Sequence, residues 1–234
     1  MRPTTDALRG ARLGSTHVGV SSDERELRVA WQRHIGTSTT ADAWFDTLIG
    51  RHRAPTRHYH DVRHVRWVVH HTRELAQSAD PPVIGDELDA VVAAAFFHDA
   101  VYDAMRSDNE SSSARLAERA LHEIGWTASV TERVAHMIEA TAGHDLDEAA
   151  DLATAVLVAA DLAVLASEPA RYGDYTRAVR HEYAHLDDET WRRGRAAFIR
   201  TTLDRTSVFP SSLALTAWER RARANLKAEL AALA

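Results

Sequence analysis

The chain has 234 residues, of which 45% are hydrophobic, so it can bury a complete core as one domain without disulfide bonds. It contains no cysteine, which excludes thiolate zinc sites and iron–sulfur clusters and leaves histidine nitrogen and carboxylate oxygen to hold any metal. The net charge is -6, and nearly all of the positive charge is arginine scattered among acids, so no nucleic-acid-binding surface is indicated.

The N-terminal segment is rich in Gly, Thr and Ser and shows no hydrophobic periodicity. Residues 1–22 are therefore predicted to form a flexible tail, followed by one domain over residues 23–234. The first ten residues lack the apolar run of a signal peptide, and no stretch approaches the ~20 apolar residues of a membrane span. We therefore expect a cytoplasmic protein that has no membrane partner.

The hydrophobic pattern is helical almost throughout, and capping residues and prolines divide it into helices. In the first half, helices are predicted over about residues 23–36, capped by Asp23, from Thr40 to before Pro55, over 57–78 and over 85–105. In the second half they are predicted from Ser107 or Asp108 to Gly125, from Thr127 to Gly143, and over about 148–167, 170–185, 188–206 and 212–232. No segment alternates as a strand would, so the pattern predicts an all-α protein.

Two aspartates lie in strongly apolar segments. Asp99 follows His98 inside the run 90–102, and Asp161 lies inside the run 152–166. An ionised carboxylate in such surroundings must be paired or must bind a cation. Because a histidine is adjacent to the first aspartate, a divalent metal site is the leading hypothesis. The alternative for Asp161 is a buried pair with an arginine.

The third predicted helix offers several of the chain's fourteen histidines as a further ligand. At 100° per residue, His64 lies at the edge of the apolar arc and His60 lies farther out. His71 is as well placed as His64, so periodicity alone leaves the choice open. The pair His60 and His64 could also chelate a metal by itself, and His64 could be a hydrogen-bonded core histidine.

The order of His64, then His98 with Asp99, then Asp161, each on its own helix, resembles the HD superfamily of metal-dependent phosphohydrolases. The local sequences are similar to a bacterial branch of that superfamily, described as predicted metal-dependent phosphohydrolases. The similar segments are residues 60–68, 96–103 with Asn109 and Glu110, 159–165, 175–183 and 194–195. The resemblance covers about residues 25–230 and implies a single-domain helical bundle of the HD type with additional C-terminal helices.

The resemblance implies that His64, His98, Asp99 and Asp161 coordinate one divalent ion. Imidazole and carboxylate ligands suit Mn, Fe, Co, Ni, Zn or, less well, Mg. Such an ion makes hydroxide available from water near neutrality and neutralises phosphoryl oxygens as the ester bond breaks. The expected substrate is a small phosphorylated molecule, with a nucleotide as the suggested class, although no residue identifies a base or a sugar. The sequence does not indicate the oligomeric state.

Hydrolysis also needs groups that accept or donate protons, and Asp103 and Glu110 are the candidate catalytic residues. Each has a structural alternative. Asp103 lies near a predicted helix end and could simply face solvent, while Glu110 suits the first turn of a helix. Arg57 and His60 are candidates for binding the substrate phosphate at the mouth of the site, although a surface salt bridge explains Arg57 as well.

Two histidines between the helices that carry Asp99 and Asp161 are further candidates. In HD proteins that hold two ions, histidines from this stretch complete the second site. His144 is a candidate substrate-binding residue, whereas His136 is expected to be packed or exposed. Two alternative functions remain: an HD-type di-iron oxygenase, which would need iron and one of these histidines as a ligand, and a non-catalytic nucleotide-binding regulatory protein.

Overall fold

The computed structural model describes residues 21–144 and 151–233, and over these residues the chain is all-helical without a strand, as predicted. Most of the predicted tail, residues 1–20, lies outside the described residues, as do residues 148–150 of the seventh predicted helix. The helices are α1 Ser22–His34, α2 Thr39–His52, α3 Val62–Ser78, α4 Gly85–Phe97, α5 Asn109–Ile124, α6 Ala128–Glu139, α7 Leu152–Asp161, α8 Pro169–Glu182, α9 Asp188–Asp204 and α10 Thr216–Leu233, with 3₁₀ turns at Leu162–Ala166 and Ser211–Leu213.

Two apolar helices form the centre of the fold. Residues 90–97 of α4 and 153–160 of α7 are each no more than 2% exposed. Helix α4 packs against α1, α3, α5, α6 and α7, and α3 also packs along α7. Helices that are apolar on all sides are stable only when surrounded in this way. Polar side chains at the ends of α4 and α7 are therefore held at fixed positions by the core.

Capping explains where several of the helices begin or end. The hydroxyl of Ser21 accepts a hydrogen bond from Glu24 N at 3.2 Å, so Ser21, rather than the predicted Asp23, caps α1. Asp23 instead lies in the first turn, where a negative charge favours the helix. Helix α5 ends before Gly125, which adopts a left-handed φ of 106°, as predicted.

Helix α3 begins five residues later than predicted. The carboxylate of Asp61 accepts hydrogen bonds from Arg63 N at 2.8 Å and His64 N at 3.3 Å, which caps the helix at that point. Residues 57–61 are a loop, so the prediction that Arg57 and His60 lie on this helix is wrong.

Helix α4 ends at Phe97, eight residues before the predicted end near Met105. The chain then turns irregularly over residues 98–108 before α5 begins. Asp103 therefore does not lie one turn beyond Asp99 on the same helix, as the predicted helix over residues 85–105 would have placed it. Helix α6 also ends early, at Glu139, and the chain changes to a 3₁₀ turn directly after Asp161.

The described residues include no single helix that is long and apolar enough to cross a membrane. The apolar segment Leu152–Ala166 reaches the required length and hydropathy only together with Pro169–Glu182, from which it is bent by 104°. Most of the first segment is buried among the protein's own helices, which accounts for its apolar character.

Candidate metal centre

The predicted metal ligands meet where three helix ends come together. His64 lies in the first turn of α3, His98 and Asp99 directly follow α4, and Asp161 is the last residue of α7. The Nε2 atoms of His64 and His98 are 3.0 Å apart, and Asp99 Oδ2 lies 3.1 Å from each. Asp161 Oδ1 lies 3.4 Å from His64 Nε2 and 3.6 Å from His98 Nε2. The structure thus brings all four residues together.

The spacings around the two histidine nitrogens match those within a shell of ligands around one cation. With metal–ligand distances of about 2.1 Å, neighbouring donor atoms lie about 3.0 Å apart in an octahedron and about 3.4 Å apart in a tetrahedron. The separations between each nitrogen and its neighbours, 3.0–3.6 Å, fall in that range. Two imidazole nitrogens and two carboxylate oxygens are a donor set that suits divalent first-row metals.

The alternative that Asp161 pairs with an arginine is not what the structure shows. Among the described residues, the ion-pair partners of its carboxylate are His64, His98 and His144. The carboxylate of Asp99 likewise forms ion pairs only with histidines in that part of the chain. No arginine or lysine there forms an ion pair with either carboxylate, so a cation or protonated imidazoles must neutralise them.

The histidines are oriented with Nε2 towards the centre. His98 Nδ1 lies 2.9 Å from the Ala95 carbonyl oxygen, so Nδ1 donates this hydrogen bond and Nε2 is left for a ligand. Metal-binding histidines commonly use a backbone carbonyl in this way. His64 is 4% exposed, and its Nδ1 is buried without a hydrogen-bond partner among the described residues.

The electrostatics of the cluster show what a cation would replace. Burial lowers the pKa of His98, but Asp99 and Asp161 outweigh it and hold that pKa well above its usual value; they also raise the pKa of His64. Burial raises the pKa of both aspartates, but the surrounding histidines hold it well below its usual range. Without a metal the cluster therefore keeps protons on imidazoles beside ionised carboxylates, and a divalent ion would displace those protons.

The two aspartates of the cluster, Asp99 and Asp161, line a cavity of about 570 Å³, a volume in the usual range for small-molecule sites. Of the residues predicted around the metal, His60, Glu110 and His144 also line this cavity. Much of the remaining wall is aromatic, from the loops that precede α3 and follow α4 and from the region of α8 and α9. These side chains are Tyr59, Tyr102, Tyr175, Tyr183, Trp191 and Phe198.

His60 is fixed by a buried carboxylate that the sequence analysis missed. Its Nδ1 lies 2.7 Å from Glu182 Oε2, its ring stacks on Tyr102 with centroids 4.0 Å apart, and its Nε2 lies 4.0 Å from Asp99 Oδ2. With Nδ1 donating to Glu182, Nε2 is the nitrogen that is left for the metal centre. Glu182 therefore sets the orientation of His60.

Glu182 also anchors the loop that carries His60. Its Oε1 accepts three backbone N–H bonds, from residues 58, 59 and 60, at 2.8, 2.8 and 3.0 Å. Its Oε2 accepts the Tyr102 hydroxyl at 3.0 Å. Burial raises the pKa of Glu182, but His60 and the backbone N–H groups lower it to about 2, so the side chain is a carboxylate. A glutamate at the end of an amphipathic helix gives no sequence signal of this role.

His144 contacts the centre from the other side. Its Nε2 lies 2.7 Å from Asp161 Oδ2, and Arg205 donates a 2.8 Å hydrogen bond to its backbone carbonyl. Its φ of 48° lies in the left-handed region, which is uncommon for histidine and is maintained here by these contacts. His136 is exposed on α6 and does not line the cavity, as expected.

Two of the predicted site residues lie elsewhere. Arg57 is buried, and it donates to the carbonyl oxygens of Asp99 at 2.7 Å and Ala100 at 3.2 Å, so its guanidinium anchors the loop after α4 and does not line the cavity. Asp103 is exposed, and its Oδ1 accepts the Met105 N–H at 2.9 Å. The structure therefore does not place Arg57 at the cavity for phosphate binding, or Asp103 in the cavity wall for catalysis.

A second feature that the sequence analysis did not anticipate is the position of Arg195 in the cavity wall. This buried guanidinium donates to both carboxylate oxygens of Glu229, at 2.7 and 3.0 Å, and to the Tyr175 hydroxyl at 3.1 Å. It therefore joins α9 to α10 and α8 and holds the aromatic side of the cavity in place.

The stability of the fold is expected to depend on pH through His52, a buried histidine that contacts Arg57. Burial and the positive charge of Arg57 lower the pKa of His52 to about 3. Arg57 Nη1 donates a hydrogen bond to His52 Nδ1 at 2.9 Å. Below pH 6.5 the His52 side chain binds a proton in the unfolded chain, whereas in the folded chain it stays neutral down to about pH 3. The free energy of unfolding therefore falls as the pH is lowered. From pH 6.5 to 5 this loss is about 2 kcal/mol.

Replacement of His52 by asparagine removes this titration while keeping a side-chain oxygen that can accept from Arg57. We expect the variant to lose about 2 kcal/mol less stability than the wild type between pH 6.5 and 5. Urea unfolding of both metal-free proteins at the two pH values measures the two losses of stability. The contributions of the other histidines are the same in both proteins and cancel in the comparison. Identical losses would show that His52 takes up a proton as readily in the folded chain as in the unfolded chain.

Comparison with known proteins identifies no relative: no family model, no curated protein and no solved structure matches the chain. The function is therefore inferred from the geometry of the site.

Proposed function

We propose that this chain is a metal-dependent phosphohydrolase of the HD type that cleaves a phosphate ester of a small molecule. One observation carries the proposal: His64, His98, Asp99 and Asp161 converge with the spacing of metal ligands, and the two aspartates line a cavity large enough for a substrate. Their order along the chain, distributed over three different helix ends, supports the HD type. Reaction of a bound phosphate ester with water is the chemistry that such an ion and cavity suit best.

A divalent ion held by these four residues would supply Lewis acidity to the phosphoryl oxygens and lower the pKa of water. The neighbouring protein groups would handle protons. Because Glu182 accepts the Nδ1 proton of His60, the Nε2 atom of the imidazole faces Asp99 and the cavity. His60 is therefore placed to accept a proton from the attacking water.

Glu110 and His144 have supporting roles in this proposal. Glu110 lines the cavity from the first turn of α5, where it could exchange a proton with the leaving oxygen of the ester. His144 binds Oδ2 of Asp161 and leaves Oδ1 directed at the two histidine nitrogens, which orients this carboxylate as a ligand.

The cavity wall favours a substrate that carries a ring as well as a phosphate. Six aromatic side chains line the space beside the metal centre, and their faces can stack on a planar ring. A nucleotide combines these two features, so we retain it as the proposed substrate class.

Elemental analysis of untagged, dialysed protein, followed by a panel of nucleotides and simple phosphomonoesters, tests the proposal. We expect the wild type to hold about one equivalent of a divalent metal more than the Asp161→Asn variant. Phosphate release should require the metal and be absent from the variant. Asp174→Asn, at an exposed α8 aspartate, is the matched control. Equal metal in all three proteins, or full loading without release from any ester, would refute the proposal.

A di-iron oxygenase is the second candidate, and the contact of His144 with Asp161 favours it. His144 Nε2 and Asp161 Oδ2 would be the donor atoms available to hold a second ion beside the centre. Two equivalents of iron with oxygen consumption and no phosphate release would support this function over hydrolysis.

A further inference from the structure

A second group of possible metal ligands lies on α3, outside the metal centre. His70 Nε2 and His71 Nδ1 each lie 3.3 Å from Glu74 Oε2. One donor atom from each of the three residues can be chosen so that all lie within 4.8 Å of one another. None of the three lines the cavity of about 570 Å³ beside the metal centre.

The spacing is that of ligands on one small cation. Two donor atoms of a tetrahedral site are about 3.4 Å apart when each is about 2.1 Å from the ion. Glu74 lies one helical turn beyond both histidines, three and four residues on, so one carboxylate oxygen can reach both rings. The side chains of His70 and Glu74 are 48% and 58% exposed, so they can close the remaining gap by changing rotamer.

His71 supplies an independent indication of a missing ligand. Its side chain is 13% exposed, and both of its ring nitrogens are buried without a hydrogen bond among the described residues. The 3.3 Å approach of Nδ1 to Glu74 therefore lacks hydrogen-bond alignment. Burial and the neighbouring His70 lower the pKa of His71 to about 4, so the ring is neutral at pH 7 and has a lone pair to offer.

We propose that His70, His71 and Glu74 form a second metal site that takes Zn²⁺, Cu²⁺ or Ni²⁺, with water completing the coordination. Two imidazoles and one carboxylate favour these ions over Mg²⁺ or Mn²⁺. The site is independent of the proposed hydrolase activity, and it means that the total metal content of the protein can exceed that of the centre.

Two tryptophans make this site directly observable. The ring centroid of His71 lies 4.3 Å from that of Trp67 and 5.4 Å from that of Trp218 on α10. A paramagnetic Cu²⁺ ion on His71 would lie close to both indoles and quench their fluorescence.

Titration of the untagged, metal-stripped chain with Cu²⁺ tests the site, with tryptophan fluorescence as the readout. The Asp161→Asn background removes the metal centre, so failure of that centre and failure of this site are distinguishable. We expect saturable quenching at about one equivalent, and affinity weakened by about ten-fold or more in His70→Ala and in Glu74→Gln. Both changed side chains are exposed at the surface, so the fold should tolerate them.

His122→Ala, at an exposed histidine of α5, is the matched control and should leave the titration unchanged. Calorimetric titration of the same proteins with Zn²⁺ should show one equivalent lost in the same two variants. Unchanged quenching in both His70→Ala and Glu74→Gln, or an equal loss in His122→Ala, would overturn the proposal.

Discussion

Replacing Asp99 by asparagine is expected to abolish the stabilisation that a divalent cation gives to the folded chain. A cation that binds only the folded state raises the free energy of unfolding by about 2.7 kcal/mol at a concentration of 100 times Kd. Asp99 Oδ2 lies 3.1 Å from both histidine nitrogens, so it contributes a donor and a negative charge at the middle of the ligand set. An amide oxygen keeps the shape and loses the charge.

Urea unfolding of metal-stripped proteins, with and without Mn²⁺, measures this effect. Mn²⁺ is chosen because the imidazole-rich site on α3 should bind it weakly. The wild type should gain about 2.7 kcal/mol and Asp99→Asn less than about 0.5 kcal/mol. We also expect kcat/KM of the variant to fall by about a thousand-fold.

Asp103→Asn is the matched control, because it makes the same change in the same loop. The Asp103 carboxylate is exposed and binds the Met105 N–H, so this variant should gain as much stability from Mn²⁺ as the wild type. A full gain in Asp99→Asn would show that Mn²⁺ binds elsewhere. A loss confined to Asp103→Asn would reverse the roles assigned to these two aspartates.

The centre of this site could be predicted because it consists of charged residues in apolar helices. The segments around Asp99 and Asp161 are too apolar to leave a carboxylate without a partner, and this local contrast is visible in the sequence. The helical class follows from the same long apolar runs. These are local properties, so neighbouring residues suffice to reveal them.

The loops around the centre could not be predicted in this way. The apolar run of α4 continues through Ala100 and Val101, yet the helix stops at Phe97 because distant side chains bind the next backbone groups. Arg57 binds two carbonyls there, and Ser113 Oγ binds the backbone N–H of Val101 at 3.0 Å. Helical periodicity contains no information on such contacts. By contrast, Asp61 before α3 is a capping signal that the sequence does contain.

Replacing Glu182 by alanine is expected to lower the free energy of unfolding by about 3–5 kcal/mol, the usual loss when one partner of a buried charged network is removed. The Glu182 side chain is 1% exposed and accepts five hydrogen bonds from the loop 58–60, His60 and Tyr102. Without it, these donors remain buried and unsatisfied. Chemical unfolding of the metal-loaded protein measures the loss, and Glu189→Gln, 89% exposed on α9, is the control.

Glutamine at position 182 separates loop anchoring from the orientation of His60. Its carbonyl oxygen can replace Oε1 and accept the three backbone N–H groups, while its NH₂ group cannot accept from His60 Nδ1 or from the Tyr102 hydroxyl. We therefore expect a smaller loss of stability than in Glu182→Ala, unchanged metal content and KM, and a kcat lowered by about 10²–10⁴-fold.

The pH profile of kcat decides whether Glu182 acts on the reaction through His60. If Glu182 acts on the reaction through His60, loss of its negative charge should displace the pH dependence of kcat in the glutamine variant towards lower pH. A purely structural role would lower stability and leave the shape of the profile unchanged. A glutamine variant with wild-type kcat and profile would show that His60 does not depend on Glu182, and would leave Glu110 as the proton-handling group of the proposed reaction.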